Sequence, residues 1–150
     1  MVKDKKVDTL FKAYKKKLIA EIGTKATTDT ELTKYGKRLF GTKYIGTYSQ
    51  NEKIPKSNIK QKFYIINVDT VGEPGTHWVA VVQNGNTYYI YDSYARGAKR
   101  LIPLFVKGKI IIESDRSDAE QYGDSEICGQ LCLSWLCVVN ELGIRSALKI

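Results

Sequence analysis

The strongest constraint on the fold is a helical segment near the C-terminus that is apolar on every side. Residues 128–142 read as one helix that ends at Gly143, a residue type that often follows a helix. Its apolar side chains point nearly all round the axis: Leu131, Cys132, Leu133, Trp135, Leu136, Val138 and Val139. Because such a helix has no face that suits water, it is normally buried at the centre of a domain. We therefore expect the other elements to pack around it.

The middle of the chain predicts a sheet. Runs rich in β-branched and aromatic residues, bounded by turn residues, are typical of strands. They cover residues 63–68, 77–82, 87–92 and 109–113. Asn84-Gly85-Asn86 has the composition of a tight hairpin turn, so the second and third strands should pair antiparallel. The sequence therefore predicts an α+β fold in which a central mixed or antiparallel sheet packs on the buried helix.

Helical patterns precede the strands. Residues 3–22 place apolar side chains at three- and four-residue steps, as an amphipathic helix does. Residues 31–39 repeat the pattern after a cap at Asp29 or Thr30. Residues 41–62 contain several turn residues and are predicted as loop. Two N-terminal helices should therefore lead into the sheet.

The length of 150 residues predicts one domain that spans residues 1–150, with residues 1–40 as a basic helical N-terminal extension within it. No apolar run reaches the roughly 20 residues that cross a bilayer. Lys and Asp also interrupt the N-terminus, where a signal peptide needs an apolar stretch. We therefore expect a monomer that has no membrane partner and is intracellular rather than secreted.

The net charge of +8 is unevenly distributed along the chain. Residues 1–62 hold 16 Lys and Arg against 6 Asp and Glu, whereas residues 63–150 hold 8 against 10. One interpretation is an electrostatic footprint for nucleic acid. The other is a solvated helix face that Lys keeps soluble, which the preponderance of Lys over Arg favours. Both interpretations stay open at this point.

Cys128 is the candidate nucleophile because it falls on the first turn of the buried helix. A helix N-terminus carries partial positive charge and free N–H groups. These stabilise a thiolate, the form of a thiol that attacks carbonyl groups. Gly129 follows and allows a substrate to approach the backbone closely. Cys132 and Cys137 lie deeper in the helix and are interpreted as small buried apolar residues.

His77 is the only histidine and therefore the only candidate base. It begins one strand of the predicted hairpin, and Asp92 ends the other strand. Counted outward from the turn, the two strands hold seven and six residues, so both side chains should lie at the same end. A carboxylate in that place can hold the imidazole tautomer and stabilise the imidazolium. A lone histidine is more often structural, but two polar residues that arrive together favour catalysis.

Gln121 completes the candidate site because it lies seven residues before Cys128, on the segment that enters the helix. Its amide and the Cys128 backbone N–H could bind an oxyanion, which is worth roughly 3–4 kcal/mol in a transition state. A metal site is not expected. One straight helix cannot direct all three cysteines at one ion, and only one distant histidine is available. The sequence requires no cofactor.

Taken together, these segments resemble the adenain-type cysteine proteases, the maturation proteases of adenoviruses and related DNA viruses. The residues that carry the resemblance are His77-Trp78, Tyr91-Asp92-Ser93, and Gln121 followed by Cys128-Gly129, with six residues between Gln121 and Cys128. The six-residue gap is similar to adenain, whereas Asp-Ser after the strand is more similar to the related proteases of ubiquitin-like proteins. An upstream segment, Tyr44-Ile45-Gly46-Thr47-Tyr48, also looks like adenain. The resemblance covers roughly residues 44–142.

The resemblance implies an adenain-like fold and a thiol endopeptidase that cleaves capsid or precursor proteins in the virion and the infected cell. His77, Asp92, Gln121 and Cys128 would be its catalytic residues. It also implies DNA as an activator, which the basic N-terminal region could bind. An activating peptide held by a disulfide is not expected, because residues 109–113 contain no cysteine. A compact protease of a DNA virus or virophage fits these features.

Two further hypotheses stay open. The same chemistry could act on conjugates of ubiquitin or a SUMO-like modifier, which makes the protein a host-directed protease. Alternatively, the chain is a basic nucleic-acid-binding domain in which Cys128 and His77 are structural.

Overall fold

Six α-helices and five strands make up the part of the chain that the computed structural model describes, which is residues 4–69, 77–114 and 126–150. In chain order they are α1 (Lys5–Ile22), α2 (Asp29–Phe40), β1 (Tyr44–Ser49), β2 (Gln61–Asn67), β3 (Trp78–Asn84), β4 (Thr87–Tyr91), α3 (Ala98–Leu101), α4 (Pro103–Val106), β5 (Ile110–Glu113), α5 (Cys128–Leu142) and α6 (Ile144–Ala147). The fold is therefore α+β.

The strands form one mixed sheet in the order β1-β2-β3-β4-β5. The three central strands pair antiparallel, and the edge strands β1 and β5 pair parallel to β2 and β4. Across the central pairs, Asn67 lies opposite Trp78, and Ala80 lies opposite Tyr91. The predicted hairpin is confirmed, and of the two predicted sheet types, mixed or antiparallel, the sheet is mixed.

Strand β1 corrects the prediction of a loop over residues 41–62. The register between β1 and β2 shifts between Tyr44 and Gly46, which marks a bulge. Gly46 has φ 152°, and a Cβ at this position would lie 2.5 Å from the Tyr48 hydroxyl oxygen. The glycine that suggested a loop is therefore the residue that allows the strand to bend.

Side chains alternate between the two faces of the sheet, as the two-residue period of a strand requires. Phe63, Ile65, Ala80 and Val82 point toward the core that contains α1 and α5. The opposite face packs on α3 and α4 through a second apolar cluster: Tyr64, Ile66, Val79, Val81, Tyr88, Ile90, Ala98, Ile102 and Phe105. The sheet is thus covered by apolar contacts on both faces.

Helix α5 lies at the centre, as its apolar pattern predicted. Every residue from Cys128 to Val139 is buried. Trp135 stacks on Tyr91 with ring centroids 5.5 Å apart, and its Nε1 donates to the Ala147 carbonyl oxygen at 2.9 Å. Helix α1 packs beside α5 through Val7, Phe11 and Leu18. Helix α5 also packs on β3, and the Cys132 sulfur contacts the first residue of that strand, Trp78.

Helix α2 begins one residue earlier than the predicted caps allow. Thr28 is its N-cap and forms a capping box with Glu31, so the prediction of Asp29 or Thr30 is wrong. In a capping box the residue three positions later returns a hydrogen bond, and Glu31 lies three positions after Thr28.

Within the described ranges, no helix combines the length and apolar character that crossing a membrane requires.

Candidate active site

His77 and Asp92 meet at one end of the β3–β4 hairpin. His77 directly precedes β3, and Asp92 directly follows β4. His77 Nε2 lies 2.6 Å from Asp92 Oδ1. Both side chains are buried, with 7% and 3% of their surfaces exposed. The prediction from strand lengths that these two residues lie together is confirmed.

A tight turn holds the Asp92 carboxylate in place. The Ala95 N–H donates to the Asp92 carbonyl oxygen at 2.9 Å, and Ala95 has φ 54°. The same turn directs two backbone donors at the side chain: Tyr94 N–H to Oδ1 at 3.2 Å and Arg96 N–H to Oδ2 at 2.8 Å. Arg96 Nε lies 3.6 Å from Oδ2. Backbone donors therefore hold both carboxylate oxygens, in addition to the contact between Oδ1 and the imidazole.

These contacts set the charge of Asp92. Burial alone would raise the pKa of its carboxyl group, because burial disfavours the ion. The hydrogen bond with His77 and the backbone N–H of Arg96 outweigh burial and lower the pKa below the ordinary 3.8. Asp92 is therefore a carboxylate at neutral pH.

His77 bridges the carboxylate to a thiol. Burial would lower the pKa of the imidazole, but hydrogen bonds to Asp92 and Cys128 outweigh it and raise the pKa above 6.5. Because Asp92 occupies Nε2, Nδ1 is the ring nitrogen left for the Cys128 sulfur. The ring also packs against Tyr94, with centroids 5.3 Å apart. His77 is therefore placed to hold a proton between an acid and a thiol.

Cys128 is the first residue of α5 and is 7% exposed. Ile127 occupies the N-cap position, and no side chain of the described residues caps this helix end. Gly129 packs so closely on a neighbouring segment that a Cβ would lie 2.0 Å from Thr27 Oγ1. Only glycine fits here without a shift of the segment that contains Thr27.

The other two cysteines are in different surroundings. All three are free thiols. Cys132 lies one turn further along α5, fully buried, and its Sγ donates to the Trp78 carbonyl oxygen at 3.3 Å. Burial raises its pKa well above the ordinary 9.0. Burial also raises the pKa of Cys137 to about 12. Both therefore stay protonated at neutral pH.

The segment between α1 and α2 forms a wall of the site. Gln130 Nε2 donates to the carbonyl oxygens of Gly23 at 2.8 Å and Lys25 at 3.0 Å. Trp78 Nε1 donates to the Thr27 carbonyl oxygen at 3.1 Å. Polar side chains from α5 and β3 thus hold this wall next to Cys128 and His77.

Three of the four predicted site residues come together: His77, Asp92 and Cys128. Gln121 lies outside the described residues, so its role stays a prediction. Sequence reasoning missed Tyr94, Arg96, Thr27 and Gln130. The sequence could have indicated Gln130, because it lies in an otherwise apolar helix and a buried amide needs a hydrogen-bond partner.

Among residues 4–69, 77–114 and 126–150, no three His, Cys, Asp or Glu side chains are grouped in a way that could hold a metal ion.

No model of a known protein family matches the chain, and no curated protein matches it as a relative. The chemical interpretation therefore rests on the arrangement of the site.

Proposed function

We propose that this protein is a cysteine endopeptidase with Cys128 as nucleophile and His77 as its base. The observation that supports this most is the hydrogen-bonded series Asp92–His77–Cys128, with the sulfur at the tip of a buried helix. Nucleophilic catalysis by a thiol needs an adjacent base and a third group that orients the base. Cys128, His77 and Asp92 fit these three roles, which supports the proposal.

The reaction follows from these positions. The Cys128 sulfur attacks the scissile carbonyl carbon, and the thiol proton passes to His77. As the C–N bond breaks, His77 gives this proton to the leaving amine, and a thioester remains on Cys128. Water then attacks the thioester while His77 takes its proton. The C–S bond breaks, the acid product leaves and the thiol recovers its proton.

The negative oxygen of each tetrahedral intermediate needs donors. The Cys128 backbone N–H lies at the start of α5, where no side chain of residues 4–69, 77–114 or 126–150 forms a cap, and is suited to this role. Gln121 is proposed as the second donor, from its spacing in the sequence. Asp92 acts through His77, whose imidazolium it stabilises while the proton is held.

The proposed substrates are capsid or precursor proteins of a DNA virus, processed in the virion or the infected cell. This part of the proposal rests on the resemblance to adenain-type proteases in the His-Trp, Asp-Ser and Cys-Gly segments. An adenain-like fold is part of the same proposal. The α+β architecture with a mixed sheet on a Cys-bearing helix is compatible with it.

Cleavage assays would test this function directly. Wild-type protein and the variants Cys128→Ala and Cys137→Ala are incubated with candidate capsid precursors and, separately, with ubiquitin- and SUMO-conjugated proteins. We expect cleavage of the precursors by wild type and Cys137→Ala, and none by Cys128→Ala. Undiminished cleavage by Cys128→Ala would remove Cys128 from the mechanism. Cleavage of the conjugates alone would favour a host-directed protease.

A second candidate function is DNA binding, either as an activator site or as the main role. A cleft of about 820 Å³ on the face opposite α5 supports it. Its lining includes four lysines and three aromatic rings: Lys53, Lys56, Lys62, Lys109, Tyr64, Tyr88 and Phe105. Cations that follow a phosphate backbone together with rings that stack on bases are typical of single-strand binding. Salt-sensitive DNA binding that Lys53→Gln and Lys56→Gln weaken would support this candidate.

A further inference from the structure

A smaller polar cleft lies directly beside the proposed active site. It has a volume of about 340 Å³. Its walls come from the segment that begins α2, from the end of β1 and from the adjacent ends of β2 and β3. Its lining includes Thr27, Asp29, Glu52, Asn67 and Trp78.

One buried side chain that lines this cleft is unsatisfied. Asn67 is 3% exposed, and its Nδ2 has no hydrogen-bond partner within the described part of the chain. Asn67 Oδ1 accepts from the Asp69 N–H at 2.7 Å, which leaves Nδ2 as the unpaired donor. Because an unsatisfied buried donor is costly, this amide indicates a ligand that pairs with it.

The charge of the cleft is opposite to that of the chain. The chain carries 24 Lys and Arg against 16 Asp and Glu. Among the described residues that line the cleft, the charged ones are Asp29 and Glu52, and none is Lys or Arg. Cations are attracted to an acidic cleft and repelled by the basic surface elsewhere on the protein. The expected ligand therefore carries positive charge.

The cleft adjoins the reacting atoms. Thr27 packs on Gly129, the residue after Cys128, and Trp78 directly follows His77. Asn67 lies opposite Trp78 in the β2–β3 pair. An extended peptide advances about 3.3 Å per residue. A substrate held with its scissile carbonyl at Cys128 can therefore place a side chain in this cleft within a few residues of that bond.

We propose that this cleft is a specificity subsite that takes a lysine or arginine side chain of the peptide substrate. The proposal rests on the endopeptidase function proposed above. The Asn67 amide turns toward the cleft when the substrate binds, and its Nδ2 then donates to a carbonyl oxygen of the substrate backbone. The carboxylates of Asp29 and Glu52 bind the cationic end of the side chain.

Variants that remove charge but keep hydrogen bonds make the test specific. Glu52 Oε1 accepts from the Ser49 N–H at 3.1 Å, and Asp29 Oδ1 accepts from the Thr30 N–H at 2.8 Å. Glu52→Gln and Asp29→Asn retain an acceptor oxygen for each bond. The matched control is Glu21→Gln, which removes one carboxylate from a surface ion pair with Arg38 outside the cleft.

Binding is measured by fluorescence anisotropy with Cys128→Ala protein. The probes are labelled octapeptide pools of Gly, Ala, Ser and Leu in which one position is fixed as Lys or as norleucine. The fixed position is moved along the peptide from pool to pool. For one of these positions, we expect the pool with Lys to bind about ten-fold more tightly than the pool with norleucine. Asp29→Asn with Glu52→Gln should reduce this ratio to about two-fold or less, and Glu21→Gln should preserve it. A ratio near one at every position, or one that the double variant leaves unchanged, would overturn the proposal.

Cleavage of the same pools by wild-type protein separates this inference from the proposed function. Cleavage with no preference for Lys over norleucine at any position would overturn the subsite and leave the endopeptidase intact. Binding of the Lys pool with no cleavage of any pool would overturn the endopeptidase. Cleavage that favours Lys at the position found by binding supports both.

Discussion

Cys128 and Cys132 lie one turn apart on the same helix, yet their surroundings are opposite. Cys128 begins α5 beside the His77 imidazole, whereas the Cys132 sulfur is fully buried and donates to a strand carbonyl. Burial raises the pKa of Cys132 well above its ordinary value. The residue type is the same, so the difference comes from position: the helix start meets the polar end of the hairpin, and the next turn meets the core. The thiol at the second position packs in the core, and the thiol at the first is the proposed nucleophile.

The largest effect that would test this contrast is expected from His77→Ala. This variant leaves Cys128 at the helix start but removes its proposed base, which is also the partner of Asp92. We expect kcat/KM for peptide cleavage to fall by about 10⁴-fold or more, because groups that act as a unit fail together. The measurement is steady-state cleavage of a precursor-derived peptide, with circular dichroism to verify folding. Retention of most of the activity in a folded variant would show that position on the helix suffices without the imidazole.

Asp92→Asn should have the next largest effect. The variant keeps an oxygen near Nε2 but removes the negative charge that raises the pKa of His77. We expect kcat to fall by about 10²- to 10⁴-fold. The pKa of His77 should fall as well, so the acid limb of the pH–rate profile, where protonation of this base stops catalysis, should move to lower pH. An unchanged limb would contradict the proposed coupling between the two groups.

The same ion pair also affects stability with pH. The raised pKa of His77 gives stability that is present below pH 6.5 and lost as pH rises through the folded value. The lowered pKa of Asp92 gives stability that is present above pH 3.8 and lost as pH falls through its folded value. The difference in unfolding free energy between wild type and Asp92→Asn should therefore be greatest between these limits, near pH 5–6. Denaturant titrations at pH 5.5 and 8.5 measure this difference.

Gly129→Ala tests the close wall beside Cys128. The new Cβ would lie 2.0 Å from Thr27 Oγ1, so the wall must shift. We expect a loss of about 1–3 kcal/mol in unfolding free energy from this overpacking. The double variant with Thr27→Ala should recover part of the loss, since the clashing oxygen is gone. Equal stability of Gly129→Ala and wild type would show that the wall moves freely.

Cys132→Ala should have the smallest effect on activity. Its sulfur lies in the core, where it donates to the Trp78 carbonyl oxygen. We expect kcat/KM within about two-fold of wild type, with a stability loss of about 1 kcal/mol from the small cavity. Cleavage and thermal unfolding of the same sample measure both. A loss of activity as large as that of His77→Ala would place Cys132, rather than Cys128, in the chemistry.

The sequence predicted the parts of the fold that local pattern determines. The bounds of α5 follow from its apolar run, and the meeting of His77 with Asp92 follows from strand lengths on either side of a tight turn. Strand β1 was missed because Gly46 signals a loop locally, while its role in a bulge depends on the partner strand. The contacts of Gln130 with Gly23 and Lys25 join residues more than 100 positions apart. Such contacts depend on how α1 packs on α5, which no local pattern encodes.

The central claim is that His77 activates Cys128 and no other cysteine. The most direct measurement is the rate of iodoacetamide modification of each cysteine in folded protein at pH 7, followed by peptide mass spectrometry. We expect Cys128 to react about 100-fold faster than Cys132 and Cys137, and its rate to fall sharply in His77→Ala. Modification of Cys128 no faster than the other two, or at a rate that His77→Ala leaves unchanged, would contradict the claim.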